Sequence, residues 1–198
     1  MGAMMRETGL GSRVAGVTLA ALLAAGAAGA QDAPAEGAAE GAPEGSSSNR
    51  VAVTTDWSVF VEDEPARECW GVSGPQETVN TRDGQEVEVQ RGDILLFVVF
   101  RPGAGVEGEV SFTGGYPFAE NSTVGVQIGD SRFEMFTQGE FAWPVSGEDD
   151  ARIVEAMRGG AEVVLTGRSA RGTQTEDTFS LMGFSAALEE AQERCSAS

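Results

Sequence analysis

Two arginines lie close together in a segment that is typical of a hairpin loop, in a chain that is otherwise acidic. The segment reads Arg168-Ser-Ala-Arg171-Gly172, and the sequence has 31 acidic residues against 13 basic ones. A guanidinium group presents a fork of N–H donors that matches a carboxylate or a phosphate. The alternative is that both arginines pair locally with Glu176 and Asp177. We predict a binding site made of Arg168, Arg171, Thr173, Gln174, Thr175 and Tyr116.

A second motif with possible chemistry is Arg91-Gly92-Asp93, the tripeptide that integrins bind on animal cells. An integrin ligand has to project on an exposed loop. Here Asp93 runs directly into seven consecutive apolar residues, 94–100. Glycine supplies unusual backbone angles in turns, and Asp accepts backbone hydrogen bonds there. We therefore interpret the tripeptide as a turn that enters a buried strand.

The residue types that are absent exclude most catalytic chemistry. The chain contains no His and no Lys. It therefore lacks the base of a Ser-His-Asp or Cys-His system and the amine of a Schiff base. Zinc, copper and haem sites also depend on His or thiolate, so no cofactor is expected. Two alternatives stay open: a carboxylate pair of the glycosidase type, and a calcium site at Glu148, Asp149 and Asp150, although these three acids suit the first turn of a helix better.

Cys69 and Cys195 are the two cysteines of the chain. In an exported protein two cysteines usually form one disulfide, and two free thiols are the alternative. The bond would close a loop of about 127 residues and stabilise the fold by up to about 5 kcal/mol in the chain-entropy model.

The elements that have to position these residues are mainly strands. Alternating apolar residues begin at Val51, Asp83-Gly84 marks a hairpin, and "QEVEVQ" alternates again. Residues 94–100 have the pattern of an interior strand covered on both faces. Many short strands with turn signals between them predict a mainly β fold, a β-sandwich of immunoglobulin-like or jelly-roll-like type.

Two helices interrupt the strand pattern. Ser146 is a suitable cap for the first, three acids follow it, and Gly159 ends it. The second helix, "SAALEEAQERC", places Leu188, Ala191 and Cys195 on one face. Cys195 is therefore expected to point at the sheet. This geometry favours a C-terminal helix tied to an early strand by a bond to Cys69.

The first fifty residues predict export rather than fold. Residues 1–30 have a positive start, an apolar run and the ending Ala28-Gly29-Ala30, as in a signal peptide. Residues 31–50 contain Ala, Pro, Glu, Gly and Ser and are predicted to be a disordered linker. Residues 51–195 are predicted to be one domain, with 196–198 as a tail. Without residues 1–30 the chain keeps 11 basic and 30 acidic residues, net −19, which repels nucleic acids and anionic lipid surfaces and attracts cationic partners.

Several segments together resemble the invasion associated locus B family of exported proteins, known mainly from alphaproteobacteria. They are "ECWGVSGP", "RGDILLFVVFRPG", and a tail with "RGTQT", "SLMGFS" and a last helix that ends in Cys. The resemblance covers residues 57–195 and implies a periplasmic or secreted, mostly β domain with no established catalytic residues. Many members have a second cysteine pair where this chain reads "FTQGEFAW". Phe136 and Phe141 stand there instead, and aromatic packing is expected to replace the crosslink.

The sequence therefore predicts a non-enzymatic, exported binding module of the cell envelope. Its partner would be a protein or an envelope component, with no nucleic acid bound and no membrane insertion after signal cleavage. A carboxylate-based hydrolase acting on a glycan and a structural envelope protein without a discrete ligand are the alternatives.

Overall fold

The computed structural model describes residues 49–196. The predicted signal peptide, the predicted linker up to residue 48 and the last two residues lie outside the described residues. The strands are β1 Arg50–Thr54, β2 Trp57–Glu62, β3 Glu68–Ser73, β4 Glu77–Arg82, β5 Gln85–Glu86, β6 Leu95–Arg101, β7 Val106–Thr113, β8 Thr123–Ile128, β9 Ser131–Gln138, β10 Phe141–Trp143, β11 Glu162–Arg168 and β12 Gln174–Ser180. The helices are α1 Gly147–Gly159 and α2 Phe184–Ser196, and a 3₁₀ turn, Pro102–Ala104, joins β6 to β7.

All twelve strands form one antiparallel sheet, in the order β1-β2-β3-β6-β7-β10-β9-β8-β11-β12-β4-β5. β7 and β12 are five strands apart, which is roughly 24 Å in a flat sheet at ~4.8 Å per strand. Yet the rings of Phe112 on β7 and Phe179 on β12 lie 6.0 Å apart, edge to face. The sheet therefore folds over so that its two halves enclose a common core. The mainly β class is confirmed, and a single continuous sheet supplies both layers.

Both predicted helices are present with the predicted signals. The Ser146 hydroxyl accepts a hydrogen bond from the backbone N–H of Asp149 at the start of α1. In α2 the buried residues include Leu188, Ala191 and Cys195. The helix packs on β1, β2, β3 and β6.

The predicted disulfide joins Cys195 on α2 to Cys69 on β3. The two Cα atoms are 5.8 Å apart, and both residues are buried. The bond ties the C-terminal helix to the inner face of the sheet, as the spacing on α2 predicts.

Strand β6 lies between β3 and β7, so its interior position is confirmed. Its two faces differ, however. Leu96 and Val98 are buried against the core, whereas Leu95 and Phe97 on the other face stay partly exposed. Val99, on the same outward face, is buried, so this face of β6 is covered only in part by the described residues.

The segment that precedes β6 departs from the alternating strand predicted for it. β5 is only two residues long, and residues 87–93, which include Arg91-Gly92-Asp93, have no ladder partner. Gly92 does not adopt a positive φ. Its N–H instead donates to the carbonyl of Gly115 at 2.9 Å, and a Cβ added to Gly115 would lie 2.5 Å from the Gly92 oxygen. Close backbone approach and a φ of +72° together explain the glycine at position 115, whereas a Cβ on Gly92 would make only ordinary contacts of 3.5 Å or more.

Candidate ligand-binding pocket lined by arginines

A pocket of about 530 Å³ opens where three segments meet. One wall is the extended segment before β6, a second is the loop after β7, and the third is the hairpin between β11 and β12. We call this the arginine pocket. It is lined by Arg82, Glu88, Val89, Gln90, Arg91, Gly115, Tyr116, Pro117, Ser169, Ala170, Arg171, Thr173 and Thr175.

Arg91, on the first wall, is bound to the fully buried carboxylate of Asp177. Its Nη1 and Nη2 atoms donate to Oδ1 and Oδ2 at 2.7 and 2.6 Å, and its Nε donates to the Gly114 carbonyl at 2.8 Å. The guanidinium also lies 5.0 Å from the centre of the Tyr116 ring. The side chains of Arg91 and Asp177 are 6% and 0% exposed. Both oxygens of the carboxylate accept from one guanidinium, and Arg91 is held by further contacts to Gly114 and Tyr116.

The alternation of β12 explains why a carboxylate is buried here. Thr175, Asp177 and Phe179 point to the interior, while Gln174 and Glu176 point to solvent. Burial raises the pKa of Asp177 above its ordinary value, and the Arg91 guanidinium offsets part of that rise. A buried carboxylate is costly without such a partner.

Tyr116 is held by two side chains. Its hydroxyl shares a hydrogen bond of 2.5 Å with Oγ1 of Thr175, and its ring packs edge to face on Phe118 at 5.0 Å. Burial raises the pKa of Tyr116, so its hydroxyl stays protonated. The ring is half-buried and forms part of the pocket wall.

The hairpin tip is pre-formed by its own backbone. The N–H of Ser169 donates to the carbonyl of Thr173, and the N–H of Thr173 donates back to Oγ of Ser169 at 3.1 Å. Gly172 has a φ of +82°, a conformation that favours glycine. The tip therefore presents Arg171 without having to order on binding.

Two arginines of the pocket, Arg82 and Arg171, make no ion pair with any residue of 49–196. Both are exposed, and Arg82 donates from Nη2 to Oγ1 of Thr173 at 2.7 Å. Arg171 makes no ion pair or side-chain hydrogen bond with any residue of 49–196. Glu88 is the one carboxylate among the lining residues. Because Asp177 already neutralises Arg91, the lining keeps a surplus of positive charge.

The structure brings together four of the six predicted binding residues: Tyr116, Arg171, Thr173 and Thr175. Arg168 and Gln174 pair with each other across β11 and β12 but do not line the pocket. Among residues 49–196, Arg168 and Arg171 form no ion pair with Glu176 or Asp177, and Asp177 points inward to Arg91.

Sequence reasoning missed Arg82 and Arg91 as members of this site. Arg91 was interpreted as part of a turn, and its partner Asp177 lies 86 residues away along the chain. A weak signal was the pair Gly114-Gly115, since adjacent glycines often mark close backbone approach.

Two further searches cover the described part of the chain. Among residues 49–196, no group of three or more His, Cys, Asp or Glu side chains is arranged to hold a metal ion. Within the same residues, neither helix is long and apolar enough to cross a membrane.

Comparison with known proteins places the chain in a family. A sequence model of the invasion associated locus B (IalB) protein family matches residues 57–192. No curated protein matches the chain. Among solved structures, the crystal structure of invasion associated protein B from Bartonella henselae is similar, with 19% sequence identity, a TM-score of 0.49, and coverage of 72% of this chain and 95% of that chain. Because the family match spans well over half of its residues, this chain belongs to the invasion associated locus B family.

Proposed function

We propose that the chain is an exported, non-enzymatic binding module of the cell envelope, and that the arginine pocket holds a carboxylate or phosphate group of an envelope component. The observation that carries the proposal is the exposed, unpaired Arg171 beside Arg82 at a pocket in a chain of net charge −18. Several exposed arginines of residues 49–196 make no ion pair, but among them only Arg82 and Arg171 line this pocket. The fork of donors on a guanidinium suits a planar or tetrahedral anion.

Export is supported by the signal-peptide pattern of residues 1–30 and by the bond between Cys69 and Cys195. Disulfides persist in the periplasm and outside the cell, where thiols are not kept reduced. A periplasmic or secreted location follows from these two features together.

A binding role fits the carboxylates of the domain better than hydrolysis does. Glu109 and Asp150 line one pocket together with Trp143, and two carboxylates beside an aromatic ring are the residue types that a glycosidase uses. Each is engaged in the fold, however. Glu109 accepts a hydrogen bond from Arg101 at 3.0 Å, and Asp150 accepts one from the backbone N–H of Val110 at 2.8 Å.

The hairpin supplies a matched pair of variants for the test. Arg168→Ala and Arg171→Ala each remove one exposed arginine, and only Arg171 lines the pocket. We expect inorganic phosphate and succinate to shift the amide NMR signals of residues 169–175 in the wild type and in Arg168→Ala, but not in Arg171→Ala. Capture of partners from the envelope extract of the source organism should follow the same order. Equal behaviour of the two variants in both measurements would contradict the proposal.

A further inference from the structure

The outward-facing side chains of six neighbouring strands form a second surface that the arginine pocket does not use. We call it the aromatic face. Its strands are β2, β3, β6, β7, β10 and β9, in this order across the sheet. Its aromatic members are Phe60, Trp70, Phe97, Phe136, Phe141 and Trp143.

Strand register places these rings side by side. Phe60 is opposite Trp70, with ring centres 5.5 Å apart and planes at 8°. Phe136 is opposite Trp143 at 5.7 Å, and Phe141 packs on Trp143 at the same distance. The six strands span roughly 24 Å at ~4.8 Å per step. Phe136 and Phe141 thus both pack on Trp143.

One end of this surface is apolar and stays open among the described residues. Phe136 is 43% exposed, Phe141 is 40% exposed, and Val145 beside them is 76% exposed. Contiguous exposed apolar side chains are a feature of interaction sites. The uninterrupted apolar run of β6 gives the same indication, because it is typical of a strand covered on both faces.

Composition gives no reason to expect that the predicted linker covers this surface. Residues 31–48 contain no large apolar side chain to pack on tryptophan and phenylalanine rings. With residues 1–30 expected to be removed as a signal peptide, we look for the occupant in another molecule.

A pocket of about 450 Å³ lies at one end of the aromatic face and has an acidic wall. Trp143, Phe136 and Val145 form its apolar part, and Glu109 and Asp150 supply carboxylates. Burial raises the pKa of Asp150, the backbone bond from Val110 offsets part of this, and Glu109 adds to it. An aromatic ring beside carboxylates is an environment that attracts a lysine or arginine side chain.

The charge around the face decides between possible occupants. Arg101 is engaged by both Glu68 and Glu109, at 2.8 and 3.0 Å, so it offers no free positive charge. On β9 both Glu134 and Arg132 are exposed on the side of Phe136, so the acidic groups of the face, Glu68, Glu109, Glu134 and Asp150, still outnumber the basic ones, Arg101 and Arg132. In a symmetric dimer a patch meets its own copy, so a second copy of this chain would set like charges against each other.

We propose that the aromatic face docks a protein segment that carries apolar side chains together with a lysine or arginine, and that this cation enters the pocket formed by Glu109, Asp150 and Trp143. The apolar side chains of the segment cover the rings of Phe136 and Phe141. Aromatic residues are enriched among the positions that dominate protein–protein binding energy, so these rings carry most of the affinity. Pairing of the lysine or arginine with Glu109 and Asp150 adds specificity for a cationic partner.

The test uses a fluorescein-labelled amphipathic peptide of Leu, Trp and Lys as the probe, with fluorescence anisotropy as the readout. A matched peptide has Glu in place of every Lys, and another has Gln. We expect the double variant Phe136→Ser/Phe141→Ser to bind the Lys peptide at least about tenfold more weakly than the wild type. Met182→Ser is the control, since Met182 is 64% exposed and lies on no strand. Asp150→Asn should weaken binding of the Lys peptide and leave binding of the Gln peptide unchanged.

Three results would overturn the proposal. One is equal binding of the Lys and Glu peptides, and another is an equal loss of affinity in the Met182→Ser control. The third is a wild-type dimer in sedimentation equilibrium that Phe136→Ser/Phe141→Ser converts to a monomer, because the occupant would then be a second copy of the chain. Circular dichroism melting checks that each variant is folded.

Discussion

Arg91 and Arg171 line the same pocket in opposite environments. The Arg91 side chain is 6% exposed and makes two charge-assisted bonds to a carboxylate that is fully buried. Arg171 is exposed at a hairpin tip and makes no ion pair with any residue from 49 to 196. One arginine is therefore part of the scaffold, and the other is available to a ligand. The two residues are of the same type, so residue type does not decide between the two roles. What separates them is that Arg91 has a buried carboxylate as its partner and Arg171 does not.

The difference follows from where each arginine lies along its element. Arg91 belongs to a segment held close to β7 by the contact between Gly92 and Gly115, which brings its side chain over the interior. Arg171 lies between β11 and β12, where the chain reverses and side chains project outward. Arg171, the arginine proposed to bind a ligand, thus lines a pocket whose opposite wall includes the buried Arg91.

The largest expected effect comes from breaking the buried pair. Arg91→Ala leaves the Asp177 carboxylate buried without a cation, which typically lowers the free energy of unfolding by about 3–5 kcal/mol. Urea denaturation followed by fluorescence measures the change. The double variant Arg91→Ala/Asp177→Ala should lose less than the sum of the two single losses. A loss below about 1 kcal/mol for Arg91→Ala would mean that Arg91 is no more structural than a surface arginine.

The second prediction concerns the pH dependence of stability. Burial raises the pKa of Asp177, so its carboxyl group stays protonated in the native state at pH values where the same group in the unfolded state, with an ordinary pKa of 3.8, has lost its proton. The contribution of this bound proton to the free energy of unfolding is complete below pH 3.8 and is lost as the pH rises through the folded-state pKa.

Asp177→Asn removes that dependence. The difference in unfolding free energy between the wild type and Asp177→Asn should therefore shrink as pH rises above 3.8, by at most about 1.4 kcal/mol per pH unit. Asp150, whose pKa is also raised, is present in both proteins, so its contribution to the pH dependence cancels in the difference. Denaturant melts at a series of pH values give the slope, and a difference that widens with pH would contradict the assignment.

A smaller effect is expected where the wall of the pocket meets the hairpin. Tyr116→Phe deletes the hydroxyl that bonds Oγ1 of Thr175, and a lost hydrogen bond of this kind costs about 1 kcal/mol. The variant keeps the ring that Arg91 and Phe118 contact. Thermal melting measures the loss. No change in Tm would show that the bond contributes nothing to the shape of the pocket.

The smallest effect on stability is expected for Arg171, at the hairpin tip that lines the arginine pocket. Arg171→Ala should change the free energy of unfolding by less than about 0.5 kcal/mol, because the side chain contacts no acid of the described residues. Arg168→Ala is the matched control and should be equally neutral. The two variants should differ only in the binding of phosphate and succinate. A clear loss of stability in Arg171→Ala would place this arginine in the scaffold with Arg91.

Local patterns predicted much of the fold. The cap at Ser146 and the stop at Gly159 mark α1, and the spacing of Leu188, Ala191 and Cys195 predicts both α2 and its bond to Cys69. These features depend on residues that are neighbours along the chain, or on there being only two cysteines. The hairpin predicted to carry the binding arginines also consists of neighbours along the chain. For this reason Arg171, Thr173 and Thr175 could be predicted from sequence to lie together, as they do at the pocket.

The rest of the site depends on contacts between distant segments. Arg91 and Asp177 are 86 residues apart, and no periodicity indicates that they meet. The apolar run of β6 likewise predicted a covered face, whereas the structure leaves Phe97 and its neighbours partly exposed. A pattern reports how apolar a face is but not which molecule covers it.

By itself, the sequence determined the strand-rich composition, the two helices, the disulfide and the restriction to chemistry without His or Lys, because each depends on residue type or short spacing. Only the tertiary structure decided that Arg91 is buried and Arg171 is free. The difference arises because one continuous sheet folds onto itself. This folding places Asp177 in the interior and brings three separate segments around one pocket. Burial is a property of the folded sheet, and it is burial that separates an arginine of the scaffold from an arginine that can bind.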